Sequence, residues 1–186
     1  MITVFLTPEN MKTVRDVGLR LAEAMIVQRT RNHGAERMPP DYNRYITGAT
    51  GEYAVAWAFN LFWEDRVGER GGRDVGGLLD VKTKRVGTSE QRLNFGFDSP
   101  DETPCILVHL DGADARLIGW LYAREGRAIG TWDEYKNYWF VEPTVPPLRP
   151  ITDLFPVVAD LQVQLLLQRE EKAAAAEGRA LVKPGA

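Results

Sequence analysis

The chain has one cysteine, Cys105, and two histidines among its 186 residues. A single thiol excludes an intrachain disulfide framework and a cysteine-based zinc site, and it makes a reducing, intracellular compartment the expectation. His33 and His109 share no metal-ligand spacing, and His109 alternates with Leu107 and Cys105 as a core histidine of a strand would. No apolar run approaches the roughly 18–20 residues of a membrane span. The start, MITVFLTPEN, lacks both the basic residues and the apolar length of a secretory signal, so the expected location is the cytoplasm. Positive charge is not in excess either. The 23 Lys/Arg against 26 Asp/Glu leave a net charge of −3, which excludes a generally basic nucleic-acid binder. Residues 29–92 lean weakly the other way, with 11 Lys/Arg against 9 Asp/Glu.

What is present is the material for one domain with a sizeable core, 44% of the residues being hydrophobic. Ile2 to Leu6 reads as a short strand. Thr7-Pro8-Glu9 is a helix start, with a capping hydroxyl, a proline at the first position and an acid in the first turn. Met11, Val14, Gly18, Leu21 and Met25 recur at helical spacing and predict a helix over 8–31. A second helix is expected over 43–63, where Gly48, Ala49, Gly51, Ala54 and Ala56 make a small face that can approach a sheet closely. Glu52 is an unusual charge in that setting. Strands are expected at 78–86, 92–97, 105–110, 116–123 and 138–142, and a last helix at about 157–177. Helices followed by strands and a closing helix predict an α/β fold, a central mixed sheet flanked by helices. Residues 1–156 are expected to form the domain, with its core at about 43–123, and residues 157–186 a C-terminal helix and frayed tail. The wide apolar stripe of that helix could pack on the core or make a homodimer seam.

The stretch GGRDVGGLLDVKTKR, Gly71 to Arg85, carries the chemistry. Acid-x-Lys occurs three times, at Asp80-Val-Lys82, Glu134-Tyr-Lys136 and Glu170-Glu-Lys172. The last two read as solvated charges in a polar loop and on a helix face. Asp80-Val-Lys82 instead follows Leu78-Leu79 and reads as part of an interior strand. Period-two alternation puts Asp80, Lys82 and Lys84 on one face, with Leu79, Val81 and Thr83 on the other. Asp74 precedes them in a Gly-rich turn, and glycines at 76 and 77 permit a tight hairpin because glycine tolerates positive φ. If the Glu52 helix packs on this sheet, three carboxylates and a lysine converge. Two carboxylates about 4 Å apart repel by roughly 4 kcal/mol at an effective dielectric near 20, and burial adds to the cost. One lysine offsets part of this, and a divalent cation offsets it well.

A helix bearing Glu52, Asp74 after a Gly-rich turn and Asp80-Val-Lys82 on the next strand resemble the PD-(D/E)XK nuclease superfamily, over roughly residues 43–123. The resemblance implies a restriction-endonuclease-like core: a helix with the glutamate, a hairpin with the other acids and the lysine, then a strand, a helix and a last strand. It implies metal-dependent hydrolysis of phosphodiester bonds in DNA, with RNA left open. Asp74 and Asp80 would be ligands of Mg²⁺, with Mn²⁺ able to substitute. Glu52 would join them directly or through water, the Val81 carbonyl would be an extra ligand, and Lys82 would be the catalytic lysine. Arg73 stands where the family has a proline. Arg73, Lys84, Arg85 and Arg44 are candidates for phosphate contacts, and Arg29, Arg31, His33 and Arg37 for a rim facing the nucleic acid. Trp132, Tyr135, Tyr138, Trp139 and Phe140 could stack on unpaired bases or serve as core. Two rivals stay open: an inactive module of the same fold that binds nucleic acid or a protein, and an ordinary charge pattern on an exposed sheet face.

Overall fold

The structure is a computed structural model that describes residues 1–33, 41–63, 74–88, 91–144 and 148–176, without the side chains of 28–33 and 176. The side chains of Arg29, Arg31 and His33 in the proposed rim, and residues Arg37 and Arg73 altogether, lie outside what it describes.

Among the described residues the architecture is α/β, with a mixed four-stranded sheet, a separate antiparallel three-stranded sheet and four α-helices. The elements run β1 (Ile2–Phe5), α1 (Pro8–His33), α2 (Tyr42–Ala58), β2 (Asp80–Arg85), β3 (Leu93–Gly96), β4 (Pro104–Asp111), β5 (Asp114–Tyr122), α3 (Ala123–Ile129), β6 (Thr131–Asp133), β7 (Tyr138–Val141) and α4 (Leu154–Ala176). The first sheet has the order β1-β5-β4-β2, with β2 parallel to β4 and the other pairs antiparallel. The second has the order β3-β7-β6.

β4 explains the layering. Its run CILVHL is apolar at nearly every position because both faces are covered. Ile106, Val108 and Leu110 face a core shared with α2 and α4 through Ala54, Val55, Leu154 and Val158. Cys105 and Leu107 face a second core, built with Leu93 and Phe95 of β3, Leu121 and Val141. Helices therefore cover one face of the first sheet, and the small sheet covers the other.

Several expectations are corrected. The second helix stops at Ala58, not at residue 63. Asn60 adopts φ 52°, and Leu61 N–H donates to Ala56 O (2.8 Å), the closure that ends helices with an Asn or Gly in the left-handed region. β2 is not an interior strand but the edge of its sheet. Asp80 and Val81 are buried all the same, because burial comes from the layers above and below. α3 is a helix that the residue pattern does not predict, and its Gly126 lies under the Phe95 ring, where a Cβ would stand 2.2 Å from Cζ. The sheet is split in two, since β3 pairs with β7, Leu93 with Val141 through Gly96 with Tyr138, rather than with its chain neighbours.

The small face of α2 has the role its composition suggests. A Cβ at Gly51 would fall 1.8 Å from Thr83 Oγ1, so helix and strand are in backbone-close contact one residue before Glu52. Gly48 makes no such approach. Gly51→Ala should lower the unfolding free energy by about 1–3 kcal/mol in urea titrations. Adding Thr83→Ala should recover part of that loss, and simple additivity of the two changes would refute the contact.

Candidate active site

The register of β2 on β4 fixes the site. Asp80, Lys82 and Lys84 pair with Cys105, Leu107 and His109, so they share the face covered by the small sheet. Val81 and Leu79 belong to the helix-side core. The turn before β2 is the tight one the glycines permit. Gly76 and Gly77 take φ 60° and 68°, Leu78 N–H donates to Val75 O (2.9 Å), and Val75 and Leu79 bridge each other antiparallel. That turn brings Asp74 back along the exposed edge of β2, where its Oδ2 accepts the Val81 N–H (2.8 Å). An edge strand leaves such donors without a strand partner, and a carboxylate takes the place of the missing carbonyl.

Asp74 and Asp80 thereby come into hydrogen-bonding contact. Lys82 Nζ stands 2.5 Å from Asp80 Oδ1, and the Cys105 thiol donates to Asp80 Oδ2 at 3.8 Å. The electrostatics follow from crowding. Burial, then the Asp80 charge, push Asp74 up to about 8, with Lys82 pulling the other way. Burial works against the Lys82 ammonium, but Asp80 and Asp74 outweigh it and hold the lysine charged above its ordinary range. Burial and the Asp80 charge push the Cys105 thiol up, so this sulfur is a weak donor and no nucleophile.

Glu52 lies on α2, on the opposite face of the sheet, and meets this group across the edge of β2. Burial raises its pKa, Trp63 and Lys82 lower it, and Asp80 raises it further. Its hydrogen bond is a long one, from Trp63 Nε1 at 3.4 Å. It is therefore a neighbour of the Asp74–Asp80–Lys82 cluster with its own partner, not a member of the contact. Among the described residues, no group of three or more His, Cys, Asp or Glu side chains is arranged to hold a metal ion together.

Beyond Lys82 opens a cleft of about 610 Å³ between β2 and the small sheet, lined by Arg44, Lys82, Lys84, Asn94, Phe97 and Tyr138 among others. It adjoins a second of about 700 Å³, which shares Arg44, Lys84, Asn94 and Tyr138 and adds Arg85 and Lys136. Arg85 is oriented by its Nε donating to Thr47 Oγ1 (2.8 Å). Five cations line the joined clefts against the carboxylates of Asp41 and Asp98. Arg44 and the adjacent Lys84 and Arg85, far apart in sequence, thus line one surface. Lys136, expected to be merely solvated, joins them because the β6–β7 hairpin folds over the cleft. Cys105, Trp63, Asn94 and Phe97 were not expected at the site. Only Cys105 left a signal, its place on the strand beside Asp80.

No protein-family model matches the chain, and no curated protein sequence matches it.

Asp74 has a pKa near 3.8 when unfolded and about 8 when folded, so between these values the folded state holds the extra proton. Metal-free stability should therefore fall as pH rises through that window and level off above it. Urea unfolding in chelator from about pH 4 to 9 should show this slope, and Asp74→Asn should flatten it. An equally steep slope in the variant would mean the proton is held elsewhere.

Proposed function

We propose that the chain is a divalent-metal-dependent nuclease that hydrolyses phosphodiester bonds in DNA, on a restriction-endonuclease-like core of the PD-(D/E)XK kind. The observation that carries this reading is the contact of Asp74, Asp80 and Lys82 beside a cationic cleft. The order of elements departs from that family's core at two points: three strands rather than one stand between β2 and α3, and β3 and the strands after α3 form the small sheet instead of joining the first one.

The donor set suits a hard cation. Asp74 and Asp80 offer only oxygens and carry a repulsion that Lys82 relieves in part, and Mg²⁺ is commonly held by one or two carboxylates with waters and phosphate oxygens. Asp74 and Asp80 would hold the ion, with the Val81 carbonyl as a further oxygen and Glu52 acting through water. When bound, such an ion stabilises charge developing at phosphorus and lowers the pKa of a coordinated water. Lys82, kept protonated by its acidic neighbours and with 33% of its side chain exposed, can reach a non-bridging phosphate oxygen or orient the attacking water. Lys84, Arg85 and Arg44 would hold the flanking phosphates, which fixes register without reading sequence.

One feature favours a second reading, a non-catalytic nucleic-acid-binding module. The Lys82–Asp80 ion pair satisfies both groups without a metal.

Cleavage of labelled linear, nicked, single-stranded and branched DNA, and of RNA, separates the two. Metal-dependent cutting is expected with Mg²⁺ or Mn²⁺ and none in chelator. Asp80→Ala and Lys82→Ala should each lower the rate on the order of 10²–10³-fold, the cost of removing one group aimed at the developing charge. Binding without cutting under every condition would leave the module.

A further inference from the structure

The small sheet carries an aromatic surface that its own packing does not consume. Phe97, the residue after β3, is 74% exposed. Its ring stacks nearly parallel on Trp139 of β7, with centroids 6.1 Å apart and planes at 16°. Trp139 is in turn backed by Trp132 of β6, at 4.3 Å between ring centroids. One face of Phe97 is thus supported while the ring stays open to solvent. Its loop is held as well: Arg127 of α3 donates to Gly96 O (3.2 Å) and Ser99 O (2.9 Å) and pairs with Asp101. A ring presented in this way costs little entropy to use.

Phe97 lines the same cleft as Lys82, Lys84 and Arg44. A phosphate track and an aromatic face are the two contacts that a nucleotide strand with exposed bases makes.

We propose that Phe97, backed by Trp139, is a stacking platform for an unpaired nucleobase, and that single-stranded nucleic acid is the form that fills the cleft. This deepens the nuclease reading and rests on it for the strand's phosphates lying at Lys82. A base inside a duplex has both faces covered by its neighbours and must leave the stack before it can meet Phe97. An unpaired base meets it at no such cost.

The test is fluorescence anisotropy in chelator, where nothing is cut. The ligands are a labelled single-stranded oligonucleotide, the same strand annealed to its complement, and the strand with abasic sites. Wild type should bind the single strand more tightly than the duplex or the abasic strand. Phe97→Ala should lower single-strand affinity about tenfold, within the range for losing one stacked base, and leave duplex affinity unchanged. Phe97→Trp should retain the affinity, and Phe97→Leu, apolar without a ring face, should behave as the alanine variant. Circular dichroism checks that each variant is folded. Equal single-strand affinity of wild type and Phe97→Ala overturns the proposal, and so does a duplex bound as tightly as the single strand.

Cleavage in Mg²⁺ is read separately. Phe97-dependent single-strand binding without cleavage keeps the stacking site and removes the nuclease reading. Cleavage with a single-strand affinity indifferent to Phe97 does the reverse. No binding to any oligonucleotide in chelator together with no cleavage in Mg²⁺ overturns both.

Discussion

One hydrogen bond organises the site: the Val81 N–H donating to Asp74. It closes an edge that β2 would otherwise leave open, and it brings a second carboxylate against Asp80. A hydrogen bond to a charged acceptor is worth about 1.5–3 kcal/mol, whereas two carboxylates in contact repel by roughly 4 kcal/mol at an effective dielectric near 20. The bond alone does not balance the repulsion. Lys82 and the proton that Asp74 retains make up the difference. The arrangement is thus tuned to accept positive charge, and the fold around it keeps its members from separating.

A glycine turn and a glycine contact supply that restraint. Gly76 and Gly77 set the turn that returns Asp74 to β2. Gly51 lets α2 lie close enough on Thr83 for Glu52 to act across the strand edge. Both were legible in the sequence, because positive φ and close approach are what glycine uniquely permits. The common face of Asp80 and Lys82 was legible for a similar reason: side-chain alternation in a strand is a local property.

What was not legible is non-local. β2 reads as interior because its residues are apolar on one side and flanked by leucines, yet burial from two covering layers leaves the same pattern as burial between strands. The division into two sheets depends on β3 finding β7, a pairing without a local signature. Phe97 and Lys136 follow from that division. Phe97 reads as the last residue of a strand and Lys136 as a solvated loop charge until the small sheet folds over β2 and gives the cleft its second wall. The end of α2 was a different kind of miss. Asn60 sits within an apolar run that continues the helical pattern, and the tendency of asparagine to adopt left-handed geometry overrode it.

The core beneath the small sheet has a meaning beyond stability. Leu93, Phe95 and Val141 on one side meet Cys105 and Leu107 on the other, and these side chains are the spacer between the two walls of the cleft. Protein interiors transmit changes of a single methylene group. The volume of these buried residues therefore sets the separation between Lys82 and the aromatic wall, as a shim sets the opening of a clamp. Substitutions at Leu93, Phe95 or Val141, on the small-sheet side of that core, would change the width of the cleft without replacing any residue of the charged cluster.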